Sequence, residues 1–160
     1  MLADPNDKQA WVENANDEVE FVSVYGKRLG VILNPAKVDD RFAPDLYSYR
    51  YNTLADVKKQ QEPFRKAMEL FGIAPERCVT VNVLDVVRYA AKHGGVFLIY
   101  FWLQHPENAN NGVYASSIRN LVQRIVTQRR MIHQYQTREQ GGENKTHSFV
   151  ISLDDLTRIA

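Results

Sequence analysis

Trp11, Ala15, Glu18 and Val22 recur at steps of 4, 3 and 4 residues, the spacing of one stripe on a helix. The pattern predicts a first helix over about Lys8 to Tyr25, capped by Asp7 and ended by Gly26. Arg28 to Leu33 then reads as a strand stopped by Asn34-Pro35, and Lys37 to Arg41 as a charged turn. Aromatics at alternate positions 47, 49 and 51 mark a second strand within Pro44 to Tyr51. Asn52-Thr53 turns it into Leu54 to Lys58, so the two form a hairpin. Further elements are a short helix at Pro63 to Phe71 that Gly72 terminates, a strand from Cys78 to Val83, and a helix from Asp85 to His93 closed by Gly94-Gly95. Val96 to Leu103 is a continuous apolar strand of the kind found at a sheet centre. His105 to Gly112 is a loop rich in Asn and Pro, Val113 to Arg138 reads as one long helix, Glu139 to Thr146 as a polar loop, and His147 to Leu153 as a last strand. This order describes an α/β fold, a mixed β-sheet flanked by helices.

Composition narrows the setting. At 160 residues with 44% hydrophobic content, the chain suits a single domain, not a disordered tail. Twenty Lys and Arg against nineteen Asp and Glu exclude a polybasic binder by total charge, so any electrostatic footprint is local. The lone Cys78 supplies neither an internal disulfide nor a thiolate cluster, and its strand setting reads as inert packing. An acidic, polar amino terminus is unlike a signal peptide, and the apolar run Gly94 to Leu103 is too short to span a bilayer. A cytoplasmic location with no membrane partner is the expectation. The histidines at 93, 105, 133 and 147 lack zinc spacing. Neither GxxxxGK[ST] nor GxGxxG occurs, which argues against a nucleotide cofactor.

Carboxylates inside apolar segments cost free energy when desolvated, so they mark candidate chemistry. Three stand out: Glu18, Asp45 and Asp56. If the hairpin turns at Asn52-Thr53, Asp45 comes within one or two pleats of Asp56. Asp56 and Lys58, two apart on a strand, project from one face. Two carboxylates and an ammonium then share a patch that suits a hard divalent cation such as Mg²⁺, with Mn²⁺ as a substitute. Phosphodiester hydrolysis is the reaction that needs this set, the lysine orienting water or stabilising developing charge. The plain alternatives are a turn residue at Asp45 and a solvated charge pair at Asp56 and Lys58.

Pro44-Asp45, followed eleven residues later by Asp56-Val57-Lys58 and preceded by a helix bearing Glu18, resembles the PD-(D/E)xK nuclease superfamily. Asp17 to Val22 is similar to the first helix of archaeal Holliday-junction resolvases. The resemblance implies a restriction-endonuclease-like fold over residues 8 to 103, with 63–83 as an insertion. It implies Asp45, Asp56 and the Val57 carbonyl as metal ligands, Lys58 as the catalytic lysine, and Glu18 as an additional ligand or water-orienting group. Glu20 competes with Glu18, and the helical stripe favours Glu18. Gln60, Gln61, Asn34, Lys37 and Arg41 are further candidates for the same cleft, although polar loop and strand-end residues face solvent by default.

Between Val113 and Arg138 stand five arginines, Arg119, Arg124, Arg129, Arg130 and Arg138, with no acid. Solubilising faces usually mix both signs, so these are the expected contacts to DNA phosphates. Ile118, Leu121, Val122, Ile125, Val126 and Ile132 give the segment an apolar stripe for the sheet or for a homodimer partner. The leading expectation is a Mg²⁺-dependent DNA endonuclease. Its rivals are a non-catalytic nucleic-acid-binding module of the same fold and a protein interaction or dimerisation domain.

Overall fold

A computed structural model describes residues 5–134 and 146–160, with side chains described over 17–132 and 147–160. The chain divides into two compact units, Met1–Val57 and Lys58–Ala160. In the first unit, helix α1 (Pro5–Leu29) precedes strands β1 (Val31–Leu33) and β2 (Leu46–Ser48), and strand β3 (Thr53–Gln60) begins there and ends in the second unit. β2 pairs antiparallel with both β1 and β3. Phe21, Leu29, Val31, Leu46 and Ala55 are buried here.

Gly26 does not end α1, as the sequence suggested; the helix runs through it to Leu29, so β1 begins at Val31 rather than Arg28. A Cβ at Gly26 would lie 2.8 Å from the Val31 carbonyl oxygen and 3.0 Å from Val22 Cγ1. The glycine therefore serves close approach of the following chain. Gly30 is the stop, at φ +69°, the left-handed conformation that glycine adopts at least cost.

The expected hairpin is present, with a turn at residues 49–52 instead of 52–53. Tyr49 and Tyr51 are exposed on that turn, and the Ser48 hydroxyl accepts a hydrogen bond from Tyr51 N at 3.2 Å. Their alternation with Tyr47 therefore belongs only in part to a strand.

The second unit holds α2 (Ala67–Phe71), β4 (Cys78–Asn82), α3 (Val83–His93), β5 (Leu98–Leu103), β6 (Gly112–Ser117), α4 (Ile118–Gln128), β7 (Met131–Gln134), β8 (Thr146–Ser152) and β9 (Thr157–Arg158). Of the helix expected from Pro63, only the last part, Ala67–Phe71, forms; Gly72 closes it at φ +67° as anticipated. Ile99 to Leu103 are all buried, which fits the central strand that their apolar run implied. Ala67, Cys78, Ile132 and Val150 form another buried cluster with Phe64, Phe71 and Ile73 packed on it.

The long helix expected from Val113 to Arg138 is not formed. Residues 112–117 pair antiparallel with β5, Leu98 opposite Ser117 and Leu103 opposite Gly112. Ser117 caps α4, accepting from Asn120 N at 3.2 Å, and Arg129 ends it at φ +52°. The next strand pairs with β8. The apolar stripe from Ile118 to Ile132 implies one continuous helix, and strand pairing on either side of α4 decides the outcome instead.

The strand order is β1-β2-β3-β5-β6-β9 in a six-stranded sheet and β4-β8-β7 in one of three. This is the expected α/β class, compatible with a restriction-endonuclease-like sheet with helices. Among the described residues no helix is long and apolar enough to cross a membrane.

Candidate functional site: a carboxylate cluster around Lys37

The hairpin brings two of the expected acids together. β2 and β3 pair with Leu46 opposite Ala55 and Ser48 opposite Thr53. Continued by one step, this register sets Asp45 opposite Asp56, where facing side chains on paired strands meet. The Asp45 carbonyl accepts from Asn34 N at 3.0 Å, so the chain at Asp45 is held from its other side as well. The Asp45 carboxyl is in hydrogen-bond contact with both Asp56 and Glu18. Asp56 is 4% exposed and Glu18 8%.

Glu18 comes from α1, close to Phe21, which is fully buried; the turn of helix that buries the aromatic ring also turns Glu18 inward. Glu20 lies on the exposed side of the same helix.

An ammonium completes the cluster, and it belongs to Lys37. Its Nζ donates to Glu18 Oε1 at 2.9 Å and Oε2 at 3.0 Å, and to Asp45 Oδ1. Lys37 sits on a 3-10 turn, Pro35–Val38, whose start is fixed by Asn34. The Asn34 side chain accepts from Ala36 N at 3.1 Å and donates to the Pro44 carbonyl at 2.9 Å. One buried amide thus ties the base of Lys37 to the residue before Asp45. By sequence Lys37 is one cleft candidate among several; the signal for more is an asparagine cap and proline that force a turn just ahead of it.

Burial acts on both charges. It raises the Asp45 carboxyl above the usual carboxylate range; the contact with Glu18 reinforces the rise, while those with Asp56 and Lys37 oppose it. For Lys37, burial works against the ammonium, but the hydrogen bonds and charges of Asp45 and Glu18 outweigh it and raise its pKa. A cation amid several desolvated carboxyls is held in its charged form.

The remaining candidates divide. Val57, after Asp56, is buried. Lys58 Nζ donates to Asp85 Oδ2 at 2.9 Å in the second unit and lies 5.6 Å from the Tyr89 ring centroid. Gln60 is a structural residue: its Oε1 accepts from Thr80 N and Oγ1, both at 3.3 Å. Gln61 is exposed, as is Arg41, whose guanidinium lies 4.7 Å from the Phe42 ring centroid. Arg119 and Arg124 are exposed on α4, Arg129 is exposed at its end, and Arg130 is half-buried. Arg124 reaches Asp155 at 3.7 Å. Arg138 lies outside the described residues.

Three carboxyls supply the hard oxygen donors that Mg²⁺ or Mn²⁺ takes, so the residue types fit such an ion. Two of them, Glu18 and Asp45, are bonded to the Lys37 ammonium, and among the described residues no group of three or more His, Cys, Asp or Glu is set out to hold a metal.

No family model matches the chain, and no curated protein matches it. Among solved structures it is similar to a nuclease from a fusselovirus, with 10% identity and a TM-score of 0.45 over 99% of this chain and 89% of that one.

Proposed function

We propose that the chain is a divalent-metal-dependent nuclease that hydrolyses phosphodiester bonds in DNA. The observation that carries the reading is the pairing of Asp45 with Asp56 across the hairpin, with Glu18 of α1 brought to the same point. Asp45, Asp56 and the Val57 carbonyl are the proposed ligands of Mg²⁺ or Mn²⁺, and Glu18 is an additional ligand or the group that orients water. When bound, the ion supplies a water of lowered pKa and charge neutralisation at the phosphoryl group. Glu18 accepts a hydrogen bond from the attacking water. Lys58, two residues beyond Asp56 on β3, is the proposed catalytic lysine and donates to the negative charge that develops on the phosphate. Its partner Asp85, at 2.9 Å, restricts the rotamers of that side chain. Arg119, Arg124, Arg129, Arg130 and Arg138 are the proposed phosphate contacts, a sequence-independent source of affinity.

The test is cleavage of duplex, single-stranded and branched DNA with Mg²⁺, with Mn²⁺ and with EDTA. Cleavage should need the metal, and Asp56→Asn and Lys58→Ala should each abolish it with circular dichroism unchanged. Variants that cut as fast as the parent would remove this site from consideration. A second reading has one observation in its favour, the Lys37 ammonium seated among the acids. A cluster permanently neutralised by Lys37 belongs to a non-catalytic nucleic-acid-binding module, with salt-sensitive DNA binding, no metal requirement and no cleavage.

A further inference from the structure

We infer that Arg88 is a positioning residue for Lys58: its guanidinium holds one oxygen of the Asp85 carboxylate and leaves the other aimed at the Lys58 ammonium. The inference rests on the proposed role of Lys58 in phosphodiester hydrolysis and deepens it, because it names what sets the direction of that ammonium.

The two oxygens of Asp85 are divided between two cations. Lys58 Nζ donates to Oδ2 at 2.9 Å, and Arg88 Nη2 donates to Oδ1 at 2.7 Å. The last torsion of an aspartate has broad wells, so a carboxylate held at one oxygen can still turn. Held at both, it cannot turn without losing a charge-assisted bond. The backbone beneath it is fixed as well. Asp85 lies in the first turn of α3, where the Asn82 side chain accepts from Leu84 N at 2.8 Å, and a carboxylate there is favoured by the helix N-terminus.

Tyr89 ties this arrangement to the core. It is 6% exposed and stacks on the fully buried Phe97, with ring centroids 4.6 Å apart. The Arg88 guanidinium carbon lies 5.5 Å from the Tyr89 centroid and Lys58 Nζ 5.6 Å, within reach of cation–π attraction. One packed ring thus gives both cations a common reference. The Arg88 side chain is 55% exposed, against 24% for Asp85 and 26% for Lys58. Replacing it opens no cavity, and so exposed a partner contributes little to folding. Its effect falls on where the carboxylate points.

The experiment uses the full chain with duplex DNA and Mg²⁺, for the parent, Arg88→Met, Arg88→Lys, Asp85→Asn and the double variant Asp85→Asn with Arg88→Met. Arg88→Met should lower kcat by about tenfold, as a small misplacement of a reacting group does. Its KM should stay within about twofold of the parent's, with melting little changed. Arg88→Lys should recover part of the loss. Asp85→Asn should lower kcat at least as far, and adding Arg88→Met to it should cost nothing more, because the arginine acts through that carboxylate. In the chain without metal or DNA, the Lys58 Nζ resonance, identified by its loss in Lys58→Ala, should move in both Arg88→Met and Asp85→Asn. A raised KM with kcat unchanged, or losses that multiply in the double variant, would make Arg88 a direct DNA contact and overturn the positioning. A Lys58 resonance that Arg88→Met leaves in place overturns it too. A parent that cuts no DNA with Mg²⁺ or Mn²⁺ overturns the nuclease reading instead, and the resonance then decides by itself whether Arg88 sets Lys58.

Discussion

Lys37 Nζ donates to both carboxylate oxygens of Glu18, at 2.9 and 3.0 Å, across nineteen residues of chain. The two side chains are 23% and 11% exposed, so salt screens the pair less than a surface ion pair. In a double-mutant cycle with Glu18→Gln and Lys37→Met, run in EDTA by urea unfolding, the coupling should be about 1.5–3 kcal/mol, the range for hydrogen bonds to charged groups. It should change little between low and high salt. A coupling near zero would show that the bond contributes nothing to the metal-free fold.

Gly26→Ala pits helix propensity against packing. Alanine is the better helix former by about 1 kcal/mol, yet its Cβ would meet the Val31 carbonyl oxygen at 2.8 Å. Backbone cannot rotate away as a side chain can, so a net loss of about 1–3 kcal/mol is expected from overpacking. The urea midpoint should fall; a rise would mean that β1 moves freely with respect to α1.

His105 sets part of the acid response. It is 5% exposed, and its Nδ1 lies 3.0 Å from Asn108 Nδ2, which also donates to the Glu76 carbonyl at 3.0 Å. A donor at that position assigns the proton of the neutral ring to Nε2, an atom with no hydrogen-bond partner among the described residues. Burial lowers the His105 pKa, with the Glu76 charge opposing. A base with a depressed folded pKa binds fewer protons folded than unfolded, so its stabilisation is complete above about pH 6.5 and is lost as pH falls through the folded pKa. His93 shifts the same way through burial, Lys92 and Arg88. His105→Gln should flatten, without abolishing, the loss of urea stability between pH 7.5 and 5. An unchanged slope would count against the neutral, buried ring.

Cys78 should be chemically silent. It is 2% exposed, and burial, aided by the Glu76 charge, pushes its thiol up to about 11. Thiol reagents react with the thiolate. At pH 8 native protein should therefore react slower than urea-unfolded protein by about two orders of magnitude or more. Equal rates would mean that β4 opens readily.

Much of this architecture was legible in the chain, and the exceptions have identifiable causes. The β2–β3 hairpin and the buried β5 followed from period and apolar runs, because each pattern is local. Glu18, Asp45 and Asp56 were found as carboxylates in apolar surroundings, and strand pairing joined the last two. Lys37 was underrated because its role depends on a turn set by Asn34 and on a helix nineteen residues away, which no spacing rule encodes. Val113 to Arg138 failed for the opposite reason: six apolar residues at roughly helical spacing masked a strand, a helix and a second strand. The boundaries there are set by pairing with β5 and β8, and by Arg129 in the left-handed region. The loop expected at His105 to Gly112 is closed by Asn111, whose side chain accepts from His105 N at 2.8 Å and donates to the His105 carbonyl at 2.6 Å, contacts that no composition rule encodes.

The turn at residues 49–52 separates the two acid-bearing strands and exposes both its tyrosines. Its length does not determine which residues face each other, since that alignment is fixed by strand contacts nearer the acids. Insertions at the tip should thus be tolerated through evolutionary drift. A single deletion between Thr53 and Asp56 would send the second acid to the opposite side of the ribbon. The number of residues separating such acids is consequently a poor signature of this arrangement, and their parity relative to the pleat a better one.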